Sequence, residues 1–212
     1  MLADARERLR RARLYLVIEA AAAPVLAPAL RGGVDMVQLR DKHADDESIL
    51  RAAAGFRSAC HEHGALFWLN DRADLAVKCG ADGVHVGQED EPVAQMRERV
   101  GPEMLIGLST HSPEQFDAAL RSDADQLSVG PVWATPTKEG RPGTGLDYVR
   151  YAAEHGGGRP WFAIGGIDSA NVAEVVAAGA RRVVVLRAIR DAPDPEAAAR
   201  ALAAALADGD AP

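Results

Sequence analysis

Eight short apolar runs, each followed by a stretch with helical periodicity, recur along this chain of 212 residues. The runs start at Leu14, Asp35, Leu66, Gly83, Met104, Gln126, Trp161 and Arg182. Strands that alternate with helices favour a parallel sheet, because each helix returns the chain to the start of the next strand. Since eight parallel strands can close on themselves, we predict a (β/α)8 TIM barrel, with a doubly wound open sheet as the alternative.

No linker or low-complexity segment divides the chain, so we predict that residues 1–212 form a single domain. Residues 1–13 are expected to be a helical lead-in, and residues 208–212 a frayed tail. The clearest helical patterns cover residues 47–60, 113–120, 170–178 and 195–207. The helix expected between Gly87 and Met104 is the least defined, because residues 88–91 are polar and unperiodic.

Composition narrows the class of partner. A net charge of −7 argues against nucleic-acid and anionic-membrane partners, since both favour clustered basic residues. The apolar run that starts at Leu14 is too short to span a bilayer. Two cysteines are too few for a disulfide framework, and this fits a reducing, cytoplasmic location. We expect small-molecule substrates, and the sequence leaves open whether the chain forms a homo-oligomer.

The polar residues that stand out follow the predicted strands rather than precede them. In a (β/α)8 barrel the loops after the strands form one rim, and this rim carries the active site. The residues at these positions are Gln38, Arg40, Lys42, Asn70, Asp71, Asp90, Ser109, Thr135, Thr137, Lys138, Gly165, Gly166, Leu186 and Arg187. We therefore predict one functional surface built by most of the strands.

Gln38, Arg40 and Lys42 alternate along the end of the second strand, so their side chains point the same way. An amide, a guanidinium and an ammonium that converge at a barrel mouth suit a multiply charged phosphate. The alternative is a solvated strand end whose cations pair with nearby carboxylates. Those carboxylates belong to Asp41, Asp45 and Asp46.

Asp71 and Asp90 follow neighbouring predicted strands and are candidate metal ligands. Magnesium binds through one or two protein carboxylates and fills its remaining positions with water and substrate phosphate oxygens. Next to the basic cluster, the pair predicts a Mg2+–diphosphate site. The alternative role for Asp71 is to cap a helix that begins near Arg72, which Asp often does.

The segment from Gly130 to Gly145 is long for a connection in this fold, and long loops are usually functional or disordered. Thr135, Thr137 and Lys138 give it two hydroxyls and a cation. The loop over residues 133–144 is therefore either a lid or a mobile insertion, and Trp133 either covers a ligand ring or packs on the barrel.

Gly165 and Gly166 precede a helix expected to start near Ser169. Paired glycines let backbone N–H groups approach an anion, and a helix N-terminus adds positive potential. Among the histidines, His85 is expected in the core, whereas His111 lies close enough to Ser109 to be a site candidate. We find no Ser–His–Asp pattern and no cysteine placed as a nucleophile.

Taken in order, the motifs QLRDK, LND, GVHVGQED, GLS, GPVWATPTK and AIGGI resemble the thiamine-phosphate synthase family. The resemblance runs from Leu14 to about Leu206. Two positions differ from the usual family pattern. Arg187 stands where the family usually has Ser, and Ile18–Glu19 replaces Thr–Asp.

The resemblance implies a TIM barrel that joins a thiazole phosphate to a pyrimidine diphosphate and releases pyrophosphate with Mg2+. It implies magnesium ligation by Asp71 and Asp90. The residues implied for the pyrimidine diphosphate are Gln38, Arg40, Lys42, Asn70, Ser109 and Lys138, of which Arg40, Lys42, Ser109 and Lys138 are the catalytic candidates. Those implied for the thiazole phosphate are Thr135, Thr137, Gly166, Leu186 and Arg187.

Three other functions remain as alternatives. A thiazole tautomerase-like isomerase on the same barrel would leave the basic cluster and the two carboxylates without a role. A barrel that handles sugar phosphates would explain the glycine pair but not the carboxylates. A non-catalytic phosphate sensor would not need metal ligands.

Overall fold

The computed structural model describes residues 2–135 and 142–208, and in it the eight predicted strands close into a parallel barrel. The strands are β1 Leu14–Ile18, β2 Met36–Leu39, β3 Leu66–Asn70, β4 Gly83–Val86, β5 Leu105–Thr110, β6 Gln126–Val129, β7 Trp161–Ile164 and β8 Val183–Val185. Closure is made between β8 and β1, where Leu14 is in register with Val183. The TIM-barrel prediction is confirmed, and the open-sheet alternative is wrong.

The first helix precedes the first strand, and the helices that follow the strands form the outer layer. In chain order the helices are α1 Leu2–Arg11, α2 Ala23–Arg31, α3 Asp46–Glu62, α4 Ala73–Cys79, α5 Val93–Val100, α6 Pro113–Leu120, α7 Gly145–His155, α8 Val172–Ala177, α9 Arg187–Arg190 and α10 Pro195–Asp208, with a 3-10 turn at Ala20–Ala22. In the described residues no helix is both long and apolar enough to cross a membrane.

Local signals in the sequence explain several helix ends. Asp45 caps α3, because its carboxylate accepts a hydrogen bond from the backbone N–H of Ser48 at 2.8 Å. Gly80 ends α4 in the left-handed conformation with φ +64°, which costs glycine little. The least defined helix, α5, is short and starts at Val93, after the polar turn that follows β4.

The barrel interior is packed separately from the layer between strands and helices. Its lower part contains Tyr15, Trp68 and Phe162, and the Tyr15 ring lies 6.1 Å from the Trp68 ring and 5.7 Å from the Phe162 ring, measured between centroids. Gly83 makes room for this cluster, since a Cβ there would lie 2.7 Å from the Trp68 ring. The lower interior is therefore filled with side chains.

Helix α1 covers the N-terminal end of the barrel, where the strands begin. Leu9 and Ala12, each 2% exposed, pack against the interior cluster. The Arg8 guanidinium donates hydrogen bonds to the carbonyls of Gly64 and Ala65, at 2.9 and 2.6 Å. This end is closed by apolar packing and hydrogen bonds, so a ligand that enters the barrel does so from the opposite end, which we call the mouth.

Candidate active site

A cavity of about 350 Å³ opens at the mouth, and its wall contains side chains from β1 to β8 and the loops that follow. It brings together seven residues singled out from the sequence. They are Gln38, Arg40, Lys42, Asn70, Asp71, Asp90 and Ser109. Because they come from the ends of four strands, only barrel closure places them side by side.

A second cavity of about 300 Å³ adjoins the first beside β7 and β8. Five predicted site residues line it, of which Leu186 also lines the first cavity. They are Thr135, Gly165, Gly166, Leu186 and Arg187. The two cavities share a wall made by Ile164, Val184 and Leu186. The mouth therefore offers two neighbouring compartments.

Arg40 and Lys42 make no side-chain hydrogen bond or ion pair within residues 2–135 and 142–208. The alternative, that these cations pair with Asp41, Asp45 or Asp46, is wrong for Asp45 and Asp46. Asp45 caps α3 instead, and Asp46 pairs with Arg72. Two cations at the mouth thus keep their donors available, as an anion-binding surface requires.

Asp71 and Asp90 face one another across the ends of β3 and β4, close enough for their carboxyl groups to hydrogen-bond. Burial and then the charge of Asp90 raise the pKa of Asp71 above its usual value, whereas Lys42 opposes this effect. Asn70 donates its side-chain N–H to the Asp71 carboxylate at 2.5 Å. The Asp90 carboxylate accepts the backbone N–H of Gly87 at 2.7 Å.

The helix-capping alternative for Asp71 is wrong. Helix α4 begins at Ala73, and the residue at its N-cap is Arg72, without a side-chain capping bond. Asp71 has φ +59°, the only positive value for a non-glycine residue in the described residues. This left-handed conformation is uncommon outside glycine, and here it belongs to a residue that faces the cavity.

The donor set at this position suits magnesium. Two carboxylates that approach each other repel when ionised, and a hard cation between them removes that repulsion. Within the described residues no group of three or more His, Cys, Asp or Glu side chains is placed to hold a metal. Two carboxylates with open space beside them match the few protein ligands that Mg2+ takes when phosphate oxygens complete its shell.

Buried polar side chains form the floor of the first cavity, and sequence reasoning missed several of them. His85 is 7% exposed and lies inside the barrel, as expected, with its Nε2 2.9 Å from the Ser109 hydroxyl. Its Nδ1 is 3.2 Å from Oε1 of Gln126. Ser128 and Tyr15 also line the cavity, and Gln38 donates its side-chain N–H to the Tyr15 hydroxyl at 2.6 Å.

The glycine pair after β7 forms a turn rather than the start of a helix. Gly165 and Gly166 have φ +109° and +71°, but α8 begins only at Val172, so the expected start near Ser169 is wrong. Asn171 explains the delay, because its side-chain N–H donates to the Gly166 carbonyl at 2.8 Å. Any anion held here would therefore meet backbone N–H groups of a braced turn rather than a helix end.

Trp133 packs beside this turn. Its backbone N–H donates to the Gly165 carbonyl at 3.1 Å, and a Cβ on Gly166 would lie 3.0 Å from its side chain. The half-buried indole also contacts the main core. Thr135 is the last described residue before the gap, and the predicted site residues Thr137 and Lys138 lie outside the described residues.

The remaining candidates are placed as follows. His111 lines the first cavity, and its Nδ1 is 2.5 Å from the Gly130 carbonyl. Glu19, one of the departures from the family pattern, forms an ion pair with Arg190 at 3.2 Å. Arg187 is exposed and lines the second cavity.

Fold and site together are those of a (β/α)8 barrel whose mouth is suited to anions and a hard cation. The sequence matches the family described as thiamine monophosphate synthase over residues 14–189. It is 54% identical over 202 residues to the thiamine-phosphate synthase of Acidothermus cellulolyticus. This alignment covers 92% of this chain and 95% of that protein. The chain belongs to the thiamine monophosphate synthase family.

Two further comparisons agree. The thiamine-phosphate synthase of Thermus thermophilus is 54% identical over 174 residues, covering 82% of this chain and 84% of the relative. The solved structure of a thiamine phosphate pyrophosphorylase from Pyrococcus furiosus superposes with a TM-score of 0.87 at 30% identity. That superposition covers 97% of this chain and 99% of the other.

Proposed function

We propose that this protein is a transferase that makes thiamine phosphate. It joins 4-amino-2-methyl-5-(diphosphooxymethyl)pyrimidine to 4-methyl-5-(2-phosphooxyethyl)thiazole and releases pyrophosphate. Family membership and 54% identity to a thiamine-phosphate synthase of nearly the same length support this activity. The structural observation that carries the proposal is the pair of adjoining cavities, one beside two cations that have no ion-pair partner in the described residues and the other beside a glycine turn.

The first cavity suits the pyrimidine diphosphate. Arg40 and Lys42 would neutralise the diphosphate, and the guanidinium fork matches two phosphate oxygens at once. Asn70 already orients Asp71 through a hydrogen bond, and its second N–H can reach a ligand oxygen. We assign Gln38 and Ser109 to the same substrate, and Lys138 by resemblance alone. The substrate's charge would thus meet the donors of Arg40 and Lys42, which bond no other group among the described residues.

Asp71 and Asp90 would hold Mg2+ at the edge of this cavity. When bound, the ion neutralises charge on the diphosphate as it leaves. The raised pKa of Asp71 is consistent with a carboxylate that needs a cation partner to stay ionised. The protein's part is to keep the two carboxylates converged and one face open to phosphate oxygens.

The second cavity suits the thiazole phosphate. The turn at Gly166 and the backbone at Leu186 and Arg187 present N–H groups, and Thr135 adds a hydroxyl. Thr137 is assigned by resemblance. Arg187, where the family usually has Ser, keeps the backbone N–H and adds a cation at the opening. The apolar wall shared by the two cavities would bring the thiazole nitrogen next to the pyrimidine methylene.

The reaction needs little from acid–base groups. The thiazole nitrogen already carries a lone pair, so no base has to create the nucleophile. The aminopyrimidine delocalises positive charge after the diphosphate leaves. The residues described above therefore act by binding the leaving group, aligning the two partners and excluding water. This accounts for a mouth rich in cations and amides.

We further propose a cytoplasmic enzyme whose partners are its two small substrates, with no nucleic-acid or membrane partner. The net charge of −7 supports this, because polyanion-binding proteins favour clustered basic residues. A homo-oligomer is compatible with the chain.

The direct test is to mix the purified protein with both substrates and Mg2+, and to follow thiamine phosphate and pyrophosphate together. We expect both products in equal amounts, and loss of both when magnesium is chelated. Folded protein that forms no product above the uncatalysed background would overturn the proposed activity. Turnover unchanged by chelation would overturn the metal assignment and leave the activity standing.

A further inference from the structure

Gln126, His85 and Ser109 form a buried chain of hydrogen bonds. Which group donates and which accepts in this chain follows from the neighbouring hydrogen bonds. Gln126 is completely buried on β6, one strand away from Ser109 and two away from His85. Its side-chain nitrogen lies 2.6 Å from the Leu127 carbonyl and 3.1 Å from the Ser128 hydroxyl. The other end of the amide faces Nδ1 of His85 at 3.2 Å.

The orientation of this amide is set by the Leu127 carbonyl. A carbonyl oxygen only accepts hydrogen bonds, so the atom 2.6 Å from it must be the NH2 group of Gln126. The Gln38 amide differs, because its partner is the Tyr15 hydroxyl, which can both donate and accept. For Gln126, the oxygen therefore points at His85.

Because the Gln126 oxygen can only accept a hydrogen bond, Nδ1 of His85 must be protonated and donate it. In a neutral imidazole the other nitrogen, Nε2, is then an acceptor. The group 2.9 Å from Nε2 is the Ser109 hydroxyl, which donates its only proton there. The Ser109 oxygen consequently turns its lone pairs towards the cavity.

Strand β5 makes room for this contact at Gly107, which lies in register between His85 and Gln126. A Cβ at Gly107 would stand 2.4 Å from Nδ1 of His85 and 2.5 Å from Oε1 of Gln126. Any residue other than glycine would therefore push the two side chains apart. The sequence thus supplies both the partner and the space that the contact needs.

We propose that Gln126 is a positioning residue that fixes His85 in its Nδ1–H tautomer and thereby makes Ser109 a hydrogen-bond acceptor towards the substrate. The group matched to that acceptor is an N–H donor, such as the exocyclic amino group of an aminopyrimidine. This substrate assignment rests on the proposed function, whereas the tautomer does not.

The tautomer is tested without substrate by nitrogen-15 NMR of the histidine side chains. The His85 signals are identified by their absence from a His85→Asn variant. We expect a protonated, pyrrole-type Nδ1 and an unprotonated, pyridine-type Nε2. The reverse pattern, or protons on both nitrogens, would overturn the proposal even if the enzyme makes thiamine phosphate. In Gln126→Met we expect a mixture of the two tautomers.

Coupling to Ser109 is tested by a double-mutant cycle on kcat/KM. Gln126→Met should lower kcat/KM about tenfold in the wild-type background, in line with losing one buried hydrogen bond. In a Ser109→Ala background the same change should cost less than about twofold, because the group it positions is gone. An equal loss in both backgrounds would mean that Gln126 acts structurally and not through Ser109.

Thr110→Val is the matched control for the cycle. Thr110 is also fully buried, but it is not among the residues that line the first cavity, and its hydroxyl bonds the Tyr148 hydroxyl and the Ser128 backbone carbonyl. Thr110→Val should leave the His85 NMR signals unchanged, and it should not alter the effect of Ser109→Ala on kcat/KM. Should Gln126→Met not fold, Gln126→Leu tests the same contact with a shorter side chain. If the wild-type protein makes no product, the proposed function fails while the NMR result still decides the tautomer.

Discussion

The two ends of the barrel use the same residue type in opposite ways. At the N-terminal end, the arginines donate to backbone carbonyls and carboxylates of the chain itself. Arg97 bonds the Met104 carbonyl and Asp125, and Arg159 bonds the carbonyls of Leu120 and Ser122. At the mouth, Arg40 makes no such bond within the part of the chain that is described.

The acidic residues differ in the same way. Asp35, Asp82 and Asp125 precede β2, β4 and β6, and each accepts backbone N–H groups at the start of a neighbouring strand. Asp71 and Asp90 follow strands, and their carboxyl groups face each other instead. Charges with internal partners hold the fold together, whereas charges that face one another or nothing are held ready for a ligand.

The largest effect is expected at the mouth. Asp90→Ala and Lys138→Ala should each lower turnover by about 100-fold or more, because each removes a charge that acts on the departing diphosphate. Thermal unfolding should change little for Asp90→Ala, since that carboxylate is exposed and its described contacts are the Gly87 N–H and the Asp71 carboxyl group, which repels it when both are ionised. Steady-state kinetics and a melting curve measure both quantities. Near-normal rates in both variants would make the site assignment wrong, even within the right family.

The opposite result is expected for Asp125→Ala at the N-terminal end. Asp125 is 13% exposed, pairs with Arg6 and Arg97, and accepts the Ile106 N–H. Leaving two guanidiniums without their carboxylate should lower the free energy of unfolding by about 3 kcal/mol. Urea unfolding measures this loss, and kcat of the folded fraction should remain as in the wild type. A large fall in kcat without a loss of stability would abolish the distinction between the two ends.

A smaller loss is expected where α1 covers the barrel. Leu9→Ala removes a side chain that is 2% exposed and packs on the interior cluster. The cavity left behind should cost about 2–3 kcal/mol in the free energy of unfolding. The mouth is at the far end, so KM for both substrates should stay unchanged. A variant as stable as the wild type would show that α1 does not help to close the barrel.

The smallest effect is a gain in stability at the site itself. The raised pKa of Asp71 means that the folded protein holds this proton more tightly than the unfolded chain does. The associated stability is present below the unfolded pKa and is lost as the pH rises through the folded pKa. Without magnesium at about pH 7, Asp71→Asn should therefore raise the free energy of unfolding by less than about 1 kcal/mol, because solvent screens part of the repulsion at this half-buried carboxyl group.

Two measurements check this prediction. The difference in the free energy of unfolding between Asp71→Asn and the wild type should shrink as the pH falls towards the usual Asp pKa, because the wild-type carboxyl group then becomes protonated and neutral. Saturating Mg2+ should reverse the order, because binding stabilises only the protein that keeps the ligand. A loss of stability in Asp71→Asn at every pH would contradict the proposed repulsion between the Asp71 and Asp90 carboxylates.

Much of the fold follows from local pattern. Strand β4 and helix α6 have the bounds that the apolar runs and Pro113 predict, and β2 starts one residue later than expected. The reason for that difference is long-range, because the Asp35 side chain accepts the N–H groups of Arg13 and Leu14. Helix α8 starts late for a local reason that composition does not reveal, since Asn171 braces the turn before it.

The site was predictable only in part. Residues after strands were found because their position in the chain reveals which end of the barrel they occupy. Gln126 and Ser128 were missed because they lie within a strand, where a run of four residues does not reveal which side faces inward. Gly107 carries no side chain to attract notice, and its role depends on the register between β4, β5 and β6.

The central claim is that the charges lining the mouth cavity bind the ligand, whereas the charges at the opposite end stabilise the fold. The most direct test compares Arg40→Met with Arg159→Met, two half-buried arginines, by measuring kcat/KM and Tm for both. We expect Arg40→Met to lose about 100-fold in kcat/KM with an unchanged Tm, and Arg159→Met to melt lower with an unchanged kcat/KM. Equal losses of activity and stability in the two variants would contradict the claim.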